Sequence, residues 1–418
     1  MNTFTGLFLA ALVASLLLKI WLATRHMRHV SNNRAQVPTA FAGKISLDAH
    51  QKAADYTLNK TRLGRLELVY SSLLLLGWTL GGWLQALHSF WSSYQFSSIT
   101  TGVAVFVSAF TIMALLDLPV SLYHTFVVEE RFGFNRTTLS TFFSDLFKQT
   151  LLTTVIGLPL TWAALWLMQA SGGFWWFYLW MLWAGFSLLM LWAYPAFIAP
   201  LFNKFSPLED QSLKQRIQAL MTKCGFTSQG IFVMDGSRRS GHGNAYFTGM
   251  GKNKRIVFFD TLLDSLDGDE IEAVLAHELG HFKRKHVQKR IISMMLMSLA
   301  GLALLGWLID QPWFFNGLGV TTMNNHLALL LFMLVMPVFT VFMQPVMAWF
   351  SRKHEFEADD YAAEQANAND LVNALVKLYK ENANTLTPDP LYSAFYDSHP
   401  PAPVRVAHLS GKLQGQSL

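Results

Sequence analysis

Residues 274–281 read Val-Leu-Ala-His-Glu-Leu-Gly-His, two histidines with a glutamate directly after the first. On a helix, positions four apart share one face, so both imidazoles reach a single ion. Glu278 stands beside them, placed to take a proton from a water held by that ion rather than to bind it. Neutral imidazoles suit zinc, which lowers the pKa of bound water toward neutrality. The stretch therefore points to hydrolysis, with His277 and His281 as ligands and Glu278 as general base.

A capped helix has to present that pair. It is expected to begin at "SLDGDEIEAV", with Asp267 as N-cap, Glu270 in capping-box position and acids in the first turn. Just upstream, the runs "IFVMD", "NAYFTGM" and "RIVFFD" are separated by Gly, Ser and Asn signals and read as a small β element. A catalytic zinc also needs a third protein ligand and an open position. The metzincin arrangement fails here, because Arg284 and Val287 stand where its Gly and third His belong. His286 is off that register and reads as interfacial.

The segment directly after the motif belongs in lipid. Ile291–Ile309 is a long apolar run, one of about seven stretches that approach the roughly 20 residues needed to cross a bilayer. The others are Phe4–Thr24, Leu66–Leu87, Thr100–Phe126, Leu151–Ala170, Phe174–Pro200 and Leu327–Phe350, with Pro195, Pro200, Pro337 and Pro345 as expected kink sites. Composition agrees: of 418 residues only 14% are charged, against about a quarter in soluble domains. The 33 phenylalanines and 14 tryptophans point the same way. A net charge of +5 could suggest nucleic acid, but no basic tract is interleaved with stacking aromatics, so no nucleic-acid partner is expected. The single Cys224 excludes an internal disulfide and any Cys-rich metal cluster.

Lys and Arg fall on alternate connections, apart from Lys19, which can snorkel from a helix end. That parity predicts an outer N-terminus, a cytoplasmic C-terminus and cytoplasmic placement of every large polar segment. The first apolar run lacks a basic n-region and is positively flanked after it, which argues against a cleaved signal. The last two spans then form a hairpin, and the chain returns to the histidines at "WFSRKHEFEADDYAAEQA". Glu355 and Asp359 share a helical face there; one would be the third ligand and the other a partner orienting a ligand histidine. Glu357 and Glu364 are rivals on other faces.

These residues resemble the type I CAAX prenyl proteases, membrane zinc endopeptidases acting on prenylated precursors. The resemblance spans nearly the whole chain, through "EERFGFNRTT", "APLFNKFSPL", "NAYFTG", "KNKRIVFFDTLL", "HELGH", "SRKHEFEADDYA" and "SHPP", in the family's order. It implies Glu355 as third ligand to one zinc per chain and Asp359 as the carboxylate behind a histidine. It implies "NAYFTG" as the edge strand that pairs with substrate, with Asn244, Ala245 and Tyr246 nearest the cleft, a form of β-augmentation. It further implies His399 as oxyanion donor and Arg405 as a brace or substrate contact.

The expected fold is predominantly α: a polytopic membrane protein with about seven transmembrane helices around a chamber, plus a small cytoplasmic α/β zinc-peptidase domain. Residues 1–200 would carry five spans, 201–290 the metallopeptidase insert, 291–350 two further spans, and 351–418 the cytoplasmic segment with the third ligand. Asp117, inside a span, is the candidate for the chamber wall. Expected partners are a peptide or lipidated protein and the bilayer, with a bacterial inner membrane favoured over endoplasmic reticulum. The rivals are a quality-control protease without prenyl specificity and a transporter or channel with incidental histidines. A site-two-type protease is disfavoured because "LDG" lies upstream of the histidines, and an iron oxygenase because Glu278 would have no task.

Overall fold

The structure is a computed structural model and describes residues 2–226, 230–248 and 255–415. Six of its helices are long and apolar enough to cross a membrane. The chain begins with α1 (Thr3–Asn32), followed by α2 (Leu47–Trp78), α3 (Trp83–Ser92), α4 (Ser98–Tyr123), α5 (Leu139–Ala170) and α6 (Trp175–Ala193). Four of these, α1, α4, α5 and α6, are among the six. Helix α2 is as long but carries Lys60, Arg62, Arg65 and Glu67 in its middle, so only its second half is apolar.

The expected second span, Leu66–Leu87, is therefore not one helix. The chain leaves α2 at Thr79, whose hydroxyl donates to the Leu75 carbonyl at 2.7 Å, and turns through Gly82 at φ +77° into α3. The left-handed backbone at Gly82 is open to glycine at no steric cost, and it outweighs the continuing hydrophobicity. A π-helical turn, His124–Glu129, extends α4 beyond Pro119, and another, Tyr194–Ile198, follows α6 around Pro195. Proline removes a backbone donor, and such widened turns are a common way for a long helix to absorb that loss.

After the short α7 (Ala199–Phe202) comes a mixed sheet, β1 (Phe205–Pro207), β2 (Gly230–Met234), β3 (Ala245–Thr248) and β4 (Arg255–Phe259), in the order β1-β2-β4-β3. The three expected strands are present. The expected "NAYFTGM" run continues past Thr248 into residues outside those described. β1 is additional: three residues with Pro207 give no alternating pattern, and pairing with β2 alone makes it a strand. Helix α8 (Gln211–Cys224) starts on an Asp210 cap and ends at Gly225, φ +74°. α9 (Asp260–Ser265) and α10 (Gly268–Lys283) complete the insert.

The chain then runs through α11 (His286–Leu308), α12 (Pro312–Gly317), α13 (Asn325–Thr340) and α14 (Gln344–Gln365), and ends in α15 (Ala368–Glu381), α16 (Pro390–Tyr396) and α17 (Ala402–Gly415). Helix α11 and the α13–α14 pair are the other two of the six. One core packs α8, α9 and α10 against the sheet and α15, with Ile217, Phe258, Leu275 and Leu279 almost wholly buried. A second core lies at the opposite end of the bundle, where Phe8, Phe314 and Phe315 pack beneath the α12 cap. Between them the spans expose Leu115, Phe147, Leu189 and Leu296, an apolar surface that lipid covers at no cost.

Candidate metal centre

The capping signals present in the sequence set the start of α10. Asp267 accepts from the backbone N–H of Asp269 and Glu270, at 3.1 and 3.0 Å, and Glu270 accepts from the Asp267 N–H at 2.9 Å. Lys377 of α15 donates to Glu270 at 2.6 Å, tying the capped end to the core. With that end fixed, α10 lies against α14 at Gly280. A Cβ there would stand 3.0 Å from Ala358 Cα and 3.1 Å from Ala358 O. The glycine inside the His-Glu-x-x-His motif thus sets how closely the two helices approach, and so whether their side chains meet.

They do meet. His277 Nε2 lies 3.3 Å from His281 Nε2 and 3.5 Å from Glu355 Oε2, and His281 Nε2 lies 3.4 Å from Glu355 Oε1. Donors bound tetrahedrally at the usual zinc distances, about 2.0–2.1 Å, are separated by about 3.3 Å. Glu355 Oε2 is buried with no hydrogen-bond partner, and the Arg405 guanidinium is 3.9 Å away, too far to donate to it. That is a costly state for a carboxylate oxygen, which a nearer cation would relieve. The residues present therefore fit a metal ion: two imidazoles and a carboxylate converge, with one oxygen already stripped of water.

Each neighbouring group then has a position. Asp359 Oδ1 is 2.8 Å from His277 Nδ1, which leaves Nε2 of that ring for the triad. Arg405 donates to both Asp359 oxygens, the Nε bond at 2.8 Å. Burial and Arg405 push the His277 imidazole down, while Asp359 and Glu355 hold it up; the net direction is upward, to about 9. The pocket thus favours positive charge between the histidines. Arg405, expected as brace or substrate contact, has a side chain only 9% exposed and turned to the site's own carboxylates. His399, by contrast, is 64% exposed with Nε2 3.4 Å from Glu355 Oε1.

Glu278 faces a narrow cleft lined by Ala245, Tyr246, Phe247 and Val274, and it has no hydrogen bond or ion pair among the described residues. Among the described residues β3 pairs with β4 alone, which leaves its other edge without a strand partner there. Asn244, at the start of this edge, is exposed and accepts from Phe259 N through its carbonyl at 2.9 Å. His286, the first residue of α11, is buried: the chain turns after Lys283 and aims it back at His281, 3.0 Å away. Glu357, weighed as a rival ligand, lies 3.0 Å from His286 Nε2 instead. Glu364 is not part of the triad.

Long-range contacts that the sequence does not announce hold the outer pieces. Asp389 caps α16 and receives Arg25 Nε of α1 on both oxygens at 2.9 Å. His26 stacks on Tyr392 at 4.1 Å, and Arg352 donates to the carbonyl of Asp397 at 2.8 Å, two residues before His399. On the other flank, "EERFGFNRTT" grips the segment leading into β3. Gly241 N donates to Phe134 O at 3.0 Å, Arg136 N to Arg239 O at 3.1 Å, and Arg239 forks onto Asp145. Asp389-Pro390 is a legible cap signal; nothing in the sequence marks Arg25 as its partner, or joins Arg352 to Asp397 or Arg239 to Asp145.

Comparison with known proteins agrees with this architecture. Residues 26–204 match the family described as CAAX prenyl protease N-terminal, five membrane helices, and residues 207–413 match peptidase family M48. The CAAX prenyl protease 1 homolog of Arabidopsis thaliana is 35% identical over 90% of this chain and 91% of its own. CAAX prenyl protease 1 of Saccharomyces cerevisiae is 37% identical over 72% of this chain and 70% of its own. The crystal structure of S. mikatae Ste24p superposes with a TM-score of 0.90 at 30% identity, covering 98% of this chain and 99% of that one.

Proposed function

The chain belongs to the M48 metallopeptidases of the CAAX prenyl protease type and is a membrane metalloprotease, and on that premise we propose that His277, His281 and Glu355 hold one zinc ion with which it cleaves an extended, membrane-delivered peptide. The observation that carries this is the convergence of three donors at a buried Glu355 oxygen that makes no hydrogen bond. When bound, zinc supplies Lewis-acid polarisation and an acidified water. All else falls to the chain's own groups.

Glu278 accepts the proton of the attacking water and returns it to the departing amine, so the base becomes the acid of the second step. His399 is exposed beside Glu355, where it donates a hydrogen bond to the oxyanion that develops on the attacked carbonyl. Asp359 fixes the His277 ring, and Arg405, enclosed by carboxylates, braces Asp359 rather than touching substrate. The edge of β3 away from β4, from Asn244 through Ala245 to Tyr246, pairs with the substrate backbone, and such pairing does not depend on the substrate's side chains.

The substrate class we infer is a lipid-bearing protein C-terminus, in line with the names of the relatives. Alternation of basic loops supports a cytoplasmic catalytic face and an outer N-terminus, and short outer turns suit a bacterial inner membrane. Asp117 is exposed inside the α4 span, a position a charge tolerates only where water reaches it, which supports a water-filled interior. The test uses the full chain in lipid vesicles with a farnesylated CAAX peptide and its unmodified counterpart. Cleavage of the farnesylated peptide, abolished by chelator and restored by zinc, is expected; chelator-insensitive cleavage would overturn the metal assignment. Equal rates on both peptides would overturn the lipid preference.

A further inference from the structure

We infer that His286 and Glu357 form a positioning relay for the ligand His281, the counterpart of the direct Asp359 contact to His277. The inference rests on the ligand set proposed above and goes beyond it. His281 directs Nε2 at the triad, so its other ring nitrogen, Nδ1, points away and meets His286 Nδ1 at 3.0 Å. His286 Nε2 in turn lies 3.0 Å from Glu357 Oε2.

One condition fixes every proton in this chain of contacts. If His281 gives the lone pair of Nε2 to a metal, its neutral ring carries hydrogen on Nδ1 and donates it to His286. His286 Nδ1 must then be the acceptor, which places the His286 hydrogen on Nε2, where it is donated to the Glu357 carboxylate. Each contact has one donor and one acceptor, and the relay ends on a carboxylate, the group that most often orients a metal-binding imidazole.

The backbone is shaped for this contact. On an unbroken helix His286, five residues beyond His281, would lie about 140° around the axis from it, at 3.6 residues per turn. Instead α10 ends and Lys285 adopts φ +58°, a left-handed conformation uncommon for a residue with a Cβ. That turn starts α11 with His286 aimed back at the site. The ring is buried, stacked on His354 at 4.1 Å and 13°, which holds its plane. A strained residue at the junction of catalytic helix and membrane span is the kind of outlier that functional geometry retains.

The test compares His286→Ala, His286→Gln, Glu357→Ala and Glu355→Ala in the full-length chain, purified in detergent. Zinc affinity is read by competition with a chelating dye, ligand geometry by the visible spectrum of the cobalt-loaded protein, and folding by thermal melting. His286→Ala is expected to weaken zinc by about 10–100-fold, the usual consequence of removing such a partner, and to shift the cobalt bands. His286→Gln, whose amide can accept from His281 and donate to Glu357, is expected to restore most of the affinity, and Glu357→Ala to fall between it and His286→Ala. Wild-type affinity and spectrum in His286→Ala, alongside zinc loss in Glu355→Ala, would overturn the relay and leave the ligand set standing. Zinc retained in Glu355→Ala would overturn the ligand set itself. A loss in His286→Ala that glutamine does not recover, with unchanged cobalt bands in the bound fraction, would show packing alone and also overturn the relay.

Discussion

Helix α10 and helix α14 supply the two faces of the metal centre and are specified in different ways. α10 is determined locally: its cap, its first-turn acids, its histidine spacing and its close-contact glycine lie within residues 267–281. α14 has no capping side chain, begins inside a membrane span and is positioned by contacts with partners far along the chain. Arg352 reaches the α16 segment, and Asp359 is pinned by Arg405. A motif can therefore specify half a site to the ångström, whereas the other half is only as accurate as the membrane hairpin that returns it.

The sharpest way to probe that contrast separates chemistry from position. Glu278→Gln removes the base from the locally specified half while keeping every ligand, so cleavage should fall by about 10³-fold or more with zinc content unchanged. Glu355→Ala strikes the other half. It should lose most bound zinc and activity together, and more than Glu357→Ala loses; the opposite order, by metal analysis, would exchange the roles of the two carboxylates.

Gly280→Ala acts on the contact between the halves. The new Cβ meets Ala358 backbone, which cannot rotate away, so α14 must retreat by a few tenths of an ångström. Overpacking of this kind costs about 1–3 kcal/mol, and zinc affinity should drop with it. Equal zinc affinity in the variant would mean that helix separation is not what sets the site. Asp267→Ala removes the cap of α10 and a long, exposed contact to Lys377, and should cost about 1 kcal/mol in thermal stability, leaving kcat nearly intact. The smallest effect is expected at Leu115→Ala on the exposed face of α4, within about 0.5 kcal/mol.

The same contrast explains which features are legible in the sequence. The capping box and the histidine pair come from short-range signals, whereas the edge position of the "NAYFTG" strand and the choice of Glu355 over Asp359 come from the family resemblance alone. The turn at Thr79–Gly82 is hidden because hydropathy continues across it while the backbone does not. His286 escapes a reading by helical register because that register does not persist through Lys285. β1 and the Arg25–Asp389, Arg239–Asp145 and Arg405–Asp359 pairs join residues tens to hundreds of positions apart, and no periodicity records such partners.

The decisive measurement is an anomalous difference map, recorded at the zinc absorption edge from crystals of the full-length Glu278→Gln chain supplied with zinc. One peak among His277 Nε2, His281 Nε2 and the Glu355 carboxylate is predicted, at full occupancy. A peak that excludes Glu355, or no peak while the two helices remain in contact at Gly280, would contradict the shared centre.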